Sequence, residues 1–320
     1  MESLYLGFDT SCYTTSVACI SSESIVLDER TVLSVPFGAR GLRQSDALFQ
    51  HNRNLPALLS RLFSSVDPAR IAGVGVSVTP TAQEGSYMPV FLAGQVAAKT
   101  AAGACSVPLV GTTHQHGHVR AALHGGNEHI LKKDRFLALH ISGGTTDVLE
   151  VHTESERIAS IQQLGCSNDL HAGQMVDRLG VAMELPFPCG KHLEQLAETA
   201  VRKDVKFASS VRGLSCSLSG AETQAQRVLQ SGEDRAEVAY GIYDCLARTL
   251  SKLIQNTAAE TGCRDVLLSG GVASSLLLRE LLHSRLKRDI RISFGRSELS
   301  GDNAVGVALL ARDQLCSGKI

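Results

Sequence analysis

Apolar residues alternate with small polar ones over residues 4–20, so this stretch reads as strand, polar turn, strand. Ser24–Val35 continues as a third strand of the same antiparallel meander. Over Gly41–Ser65 the period changes to that of a helix, with Leu48, Leu55, Leu58, Leu59 and Leu62 on one face. Pro56 predicts a break or a new start near Asn54. Ile71–Thr79 is Val-rich and reads as a short buried strand, ended by Thr79-Pro80-Thr81. Met88–Ala102 is a helix whose many alanines imply close packing. Pro108–Thr112 is a further strand, and it delivers the chain to a helix running to about Leu123. Three strands followed by alternating strands and helices make one α/β lobe.

After a polar connector, Gly125–Asp134, the opening pattern returns. Phe136–Ile141 is a strand, residues 142–147 form a small polar turn, and Val148–His152 is a second strand. This echo of residues 4–20 implies a duplication, with two mixed-sheet lobes facing a central cleft. Each lobe would present a turn of backbone N–H groups and hydroxyls suited to a phosphate chain. Asp169–Met183 is helical by period, capped at Asn168 or Asp169, with Gly173 and Asp177 on one face. Pro186–Gly190 is a turn, followed by a helix over His192–Arg202 and a basic loop with Lys203, Lys206 and Arg212. Helices follow the small residues of Ser215–Gly220 and extend to about Thr261. Asp265–Val272 runs as a strand into Gly270-Gly271, and a helix with Leu276–Leu278, Leu281 and Leu282 comes next. A glycine pair there lets a backbone approach a ligand, and the helix start favours an anion; close packing is the other reading. Arg285, Lys287, Arg288, Arg291 and Arg296 form a second basic run, read as a solvated face. Asp302 stands before a final Ala/Val/Leu helix, where its ordinary role is an N-cap. The lobes divide as 1–133, completed by 300–320, and 134–299.

With 320 residues, 43 % of them hydrophobic and 20 % charged, the chain can bury two cores and is not disordered. A net charge of −1 argues against gripping nucleic acid unaided, and with 4 % aromatics there are few platforms for stacking bases. Nine cysteines without a CxxC pair suit a reduced, cytoplasmic chain. The strand-like N-terminus lacks a basic leader, and no apolar run is long enough to span a membrane.

The chemistry concentrates in Thr113-His114-Gln115-His116-Gly117-His118. On a helix His114 and His118 are one turn apart and share a face, the spacing at which two imidazoles can hold one metal ion. His116 points to the opposite side. Two ligands are not a site, and a bare pair reads as a solvated helix start unless an oxygen ligand joins it. Asp9, at the end of a buried strand and before Thr and Ser, suits a phosphate or its metal, or equally a turn.

These pieces, in order, resemble the threonylcarbamoyladenosine tRNA-modifying transferases, formerly called glycoproteases or O-sialoglycoprotein endopeptidases, over nearly the whole chain. The matching stretches are Asp9–Cys12, His114–His118, Leu139–Thr146, Ala172–Leu179, Phe187–Gly190, Ser217–Thr223, Ser269–Arg279 and Gly301–Ala304. The resemblance implies the two-lobed actin/Hsp70/sugar-kinase fold. It implies Asp302 as third ligand beside His114 and His118, around one divalent metal: iron, or less selectively zinc or magnesium. It places an adenine nucleotide or acyl-adenylate on His140, Ile141, Ser142, Gly143, Gly144, Asp177, Gly190 and Ser275, next to the glycine pair Gly270 and Gly271. The implied reaction is threonylcarbamoyl transfer to an adenosine beside the anticodon of tRNA, aided by partner subunits of a tRNA-modification complex. The sequence departs from the family pattern at Tyr13, Thr14, Thr79, Thr81, His116, Thr145, Glu222 and Ser275. Two further readings stay open: a metal- or nucleotide-binding scaffold subunit, and a phosphotransferase of the wider kinase-like superfamily. Peptidase activity is disfavoured, because the HxxxH lacks the adjacent Glu of zinc peptidases.

Overall fold

The first sheet grows from β1 (Leu4–Ser11) and β2 (Thr14–Ile20), both buried along their whole length, and β3 (Ile25–Val32). Helix α1 (Gln44–Ser65), β4 (Ile71–Thr79), α2 (Phe91–Cys105), β5 (Leu109–Thr113) and α3 (His114–Leu123) follow. Next come β6 (Arg135–Ile141), β7 (Thr146–Glu154), β8 (Arg157–Cys166), α4 (Ala172–Ala182) and α5 (Gly190–Glu198). A small hairpin, β9 (Ser210–Arg212) and β10 (Ser215–Ser217), precedes α6 (Ser219–Gln230) and the long α7 (Arg235–Thr261). The chain closes with β11 (Asp265–Ser269), α8 (Leu276–His283), β12 (Arg291–Phe294), α9 (Ser297–Ser300) and α10 (Val305–Leu315). This computed structural model describes residues 2–11, 13–36 and 41–316. Cys12, the last residue of the Asp9–Cys12 match, and 317–320 of the expected closing segment lie outside the described residues.

The described residues fall into two units, one drawn from Met1–Ser34, Gly41–Gly126 and Arg296–Ile320, the other from Val35–Arg40 and Asn127–Gly295. The first unit holds the sheet β3-β2-β1-β4-β5 and the second the sheet β12-β11-β6-β7-β8. In each, a meander of three antiparallel strands is extended on its first strand by two parallel ones. The echo heard in the sequence is thus a repeated topology. The first core joins Leu6, Phe8, Val74 and Val76 of the sheet to Leu58 and Leu62 of α1. The second joins Leu137, Leu139 and Val266 to Leu246 and Leu250 of α7.

Three local expectations are corrected. Helix α1 runs through Pro56 without a break. Pro56 lies on the exposed face, while Leu55, Leu58 and Leu62 anchor the buried face. The start of α4 is at His171 rather than Asn168 or Asp169. Asp169 is taken elsewhere, accepting from the N–H groups of Leu170 (2.5 Å) and Leu218 (2.8 Å). Gly190, expected in a turn, opens α5.

Candidate metal centre

Thr113 caps α3, its Oγ1 accepting from the N–H of His116 at 3.1 Å. The same hydroxyl lies 2.6 Å from His116 Nδ1 and holds that ring to the cap, away from its two neighbours. Burial lowers the His116 pKa to about 4. His114 and His118 share the other face, with ring centroids 4.4 Å apart and edge to face. Phe91 backs His114 at a centroid distance of 6.2 Å.

The last two helices supply the third group. Gly306 of α10 meets Gly117 of α3 so closely that a Cβ on Gly306 would lie 1.9 Å from the Gly117 carbonyl oxygen. Arg120 of α3 donates to Asp313 of α10 at 2.6 Å, on the same helix pair. Asn303 caps α10 by accepting from the N–H of Gly306 (3.2 Å), and its amide donates to the carbonyls of Leu299 and Gly301 (2.9 Å each). Asp302 is therefore free of the capping role expected of it. Its Oδ1 lies 3.5 Å from His114 Nε2 and 3.4 Å from His118 Nε2, and the two Nε2 atoms are 3.0 Å apart.

These separations suit a shared ion. Ligand atoms at about 2.0–2.2 Å from one metal stand roughly 3.0–3.5 Å from each other. Among the described residues, His114, His118 and Asp302 are the group of three whose ligand atoms gather in this way. Asp9 is placed behind His114 rather than at the ion. Its Oδ2 accepts from His114 Nδ1–H (2.9 Å) and from the Ser77 hydroxyl (2.5 Å), and its Oδ1 from the N–H of Ser11 (2.9 Å). A proton fixed on Nδ1 leaves the Nε2 lone pair of His114 aimed at Asp302 and His118, the arrangement that orients a metal-binding imidazole.

The charges agree. Burial pushes His114 down, but Asp9 and Asp302 raise its pKa to about 10. Burial pushes Asp302 up, and hydrogen bonds and charge from both imidazoles bring it well below the ordinary carboxylate value. Asp9 is raised by burial and brought below its ordinary value by His114 and Ser77. Burial and the charge on His114 lower His118. A proton on His114, or a divalent ion held by all three donors, would offset the carboxylates of Asp9 and Asp302.

The second unit gathers the residues expected at a nucleotide. His140 and Ile141 are buried in β6, with His140 Nδ1 3.1 Å from the Ser269 hydroxyl. The Ser142 hydroxyl accepts from the N–H groups of Gly144 and Thr145, both at 3.2 Å, and Gly143 and Gly144 are exposed. Gly173, in the first turn of α4, donates to the Ser142 carbonyl at 3.1 Å; a Cβ there would lie 2.6 Å from Gly143 Cα. The α4 start is thereby pressed against the β6–β7 turn. Asp177 accepts from the N–H of Cys189 (2.8 Å) beside Gly190, and burial raises its pKa. Gly270 is buried against Ile141, while Gly271 is exposed. Ser275 caps α8, accepting from Leu278 N–H at 3.1 Å, and donates to Glu194 at 2.8 Å. Its hydroxyl is thus occupied within the protein.

A model of the family described as TsaD, tRNA N6-adenosine threonylcarbamoyltransferase, matches residues 27–309. The tRNA N6-adenosine threonylcarbamoyltransferase of Methanopyrus kandleri is 28 % identical over 306 residues, covering 95 % of this chain and 85 % of that protein. Among solved structures, the activator of the 2-hydroxyisocaproyl-CoA dehydratase from Clostridium difficile, with bound ADPNP, superposes with a TM-score of 0.57 at 14 % identity, covering 100 % of this chain and 97 % of that one. A ROK family glucokinase from Streptomyces griseus, in complex with glucose and AMPPNP, does so with a TM-score of 0.52 at 12 % identity, covering 97 % and 99 %. The structural likenesses carry the fold alone, an α/β fold of two units, each built on a mixed five-stranded sheet.

Proposed function

The chain belongs to the tRNA N6-adenosine threonylcarbamoyltransferase family, and on that premise we propose that it transfers a threonylcarbamoyl group from threonylcarbamoyl-adenylate to the adenosine beside the anticodon of tRNA, at a metal centre of His114, His118 and Asp302. The convergence of two Nε2 atoms and one carboxylate oxygen within 3.5 Å of one another carries the metal-centred part of this reading. Two imidazoles and one carboxylate suit iron first, then zinc or magnesium. Such an ion, when bound, supplies Lewis-acid polarisation of an acyl oxygen and a template for the donor.

The chain's own residues do the rest. Asp9, fixed by Ser77 and Ser11, keeps the His114 proton on Nδ1. In the turn Ser142–Gly144 the exposed Gly143 offers its backbone N–H to a phosphate, and Asp177 offers a carboxylate oxygen to ribose hydroxyls. In the reaction N6 of the adenosine bonds to the carbamoyl carbon, the mixed-anhydride C–O bond breaks, and AMP and one proton leave. Partner subunits complete the grip on tRNA, in keeping with a net charge of −1. No helix among the described residues is long and apolar enough to cross a membrane, and the tRNA substrate supports a cytoplasmic setting. A phosphotransferase reading loses Asp9, whose two oxygens are already engaged.

The test is single-turnover transfer. Wild type and His118→Ala receive threonylcarbamoyl-adenylate, unmodified tRNA and host extract, and modified adenosine is read by mass spectrometry. Product from wild type alone supports the proposal. No product from either, with metal still bound by wild type, overturns it and leaves a metal-binding scaffold.

A further inference from the structure

The two basic runs of the sequence meet on one buried carboxylate. Asp244 of α7 is 1 % exposed, and three cations answer it: Lys206 at 3.3 Å, Arg248 at 2.9 Å and Arg285 at 2.6 Å. Lys206 comes from the loop after α5 and Arg285 from the segment after α8. One cation would neutralise Asp244. Three leave a local surplus of positive charge, with Lys206 54 % exposed and Arg248 34 %. One turn before Asp244, Tyr240 carries the ammonium of Lys203 over its ring at 5.1 Å and that of Lys206 at 5.9 Å. One turn beyond Arg248, Lys252 is exposed on the same face of α7. The acids nearby take back only part of the surplus: Glu237 is turned toward the backbone N–H groups of Val201, Arg202 and Lys203 at 2.7–2.8 Å, and Asp204 and Glu233 pair with Arg202.

A chain with a net charge of −1 that concentrates cations around a half-buried aromatic ring has built a local anion surface. Cations beside an aromatic face match a nucleic-acid strand, whose phosphates take the charge and whose bases stack. We propose that this face of the second unit contacts the phosphate backbone of the tRNA acceptor, with Tyr240 as a stacking platform. The proposal rests on the reading of tRNA as substrate. The ion pairs on Asp244 hold the loop after α5 and the segment after α8 to α7, and so fix the spacing of the charges.

The test uses the full chain, wild type, Lys203→Glu/Lys252→Glu and Tyr240→Ala. The altered lysines lie outside the Asp244 ion pairs, so the fold is kept, and a thermal melt checks this. Unmodified tRNA binding is followed by fluorescence anisotropy from about 50 to 200 mM salt. The double variant is expected to weaken binding at least about tenfold and to flatten the slope of log K against log salt by about 2. Tyr240→Ala is expected to weaken binding several-fold with the slope unchanged, since stacking releases no counterions. Equal binding by wild type and double variant, or no tRNA binding by wild type, overturns the proposal. Polyglutamate competing as well as tRNA overturns it in favour of an acidic protein partner. Loss of binding in the double variant, alongside no threonylcarbamoyl transfer by wild type, keeps this surface and rejects the transferase reading instead. Normal binding by the double variant, with transfer lost only in His118→Ala, does the reverse.

Discussion

Gly306 rests against the carbonyl of Gly117 with no room for a side chain between them. That contact sets how closely α10 approaches α3, and Asp302 stands one turn before Gly306. Gly306→Ala is expected to cost about 1–3 kcal/mol of stability by forcing the helices apart, despite alanine's better helix propensity. It is also expected to lower bound metal, read by elemental analysis beside urea unfolding. A variant with wild-type stability and full metal content would show that the close approach is not what places Asp302.

Asp9 touches the candidate metal centre through His114 Nδ1, 2.9 Å away. Asp9→Asn is expected to weaken metal affinity about 10–100-fold while the fold is kept, as for other partners of ligating histidines. Ser77→Ala, which removes one of three donors to Asp9, is expected to have a smaller effect. Competition against a chelator measures both, and an unchanged affinity in Asp9→Asn would assign Asp9 to packing alone.

The proposed nucleotide turn can be tested without touching the proposed metal ligands. Gly173→Ala would put a methyl group 2.6 Å from Gly143 Cα and from the Ser142 carbonyl. Affinity for AMP is expected to fall about tenfold or more, with metal content unaltered because the ligands lie wholly in the other unit. Calorimetry decides it, and unaltered AMP binding would take the β6–β7 turn out of the site.

His51 gives the stability a pH dependence. It is fully buried on Thr15, 2.9 Å away, and burial lowers its pKa to about 4 from an ordinary 6.5. As pH falls through 6.5 the unfolded chain takes up a proton that the folded chain refuses, so its contribution is complete above 6.5 and is lost by about 4. The slope approaches about 1.4 kcal/mol per pH unit within that window. Unfolding by urea at several pH values should show the slope in wild type and a flatter one in His51→Leu. Equal slopes would locate the dependence elsewhere.

How much of this was legible depended on distance along the chain. The HxxxH pair and the strands flanking it follow from local period, because both ligands sit one turn apart on α3. Asp302 lies far away in sequence, and only the resemblance to a family pointed to it. Gly117 and Gly306, which set the approach of α10 to α3, carry only a weak local signal. Glycine inside a helix costs about 1 kcal/mol against alanine, and that cost was the available signal. Strand β8 escaped because two register shifts against β7 break its alternation, and β12 because it is four residues long. Asp9 reads equally as a phosphate or metal contact and as a turn residue, since nothing local announces that Ser77 and His114 will enclose it. The separate basic runs gave no sign of meeting at Asp244, which is itself an unremarked acid on a long helix.

The first unit is discontinuous in the chain, with α9 and α10 returning to it only after the whole second unit. Order of synthesis therefore differs from order in space. A growing polypeptide presents His114 and His118 first, and Asp302 only after the whole second unit has been made. Through that interval two imidazoles stand without their carboxylate, and Gly117 without the helix that covers it. An ion shared by these three residues would therefore be held only once α9 and α10 have docked against α3.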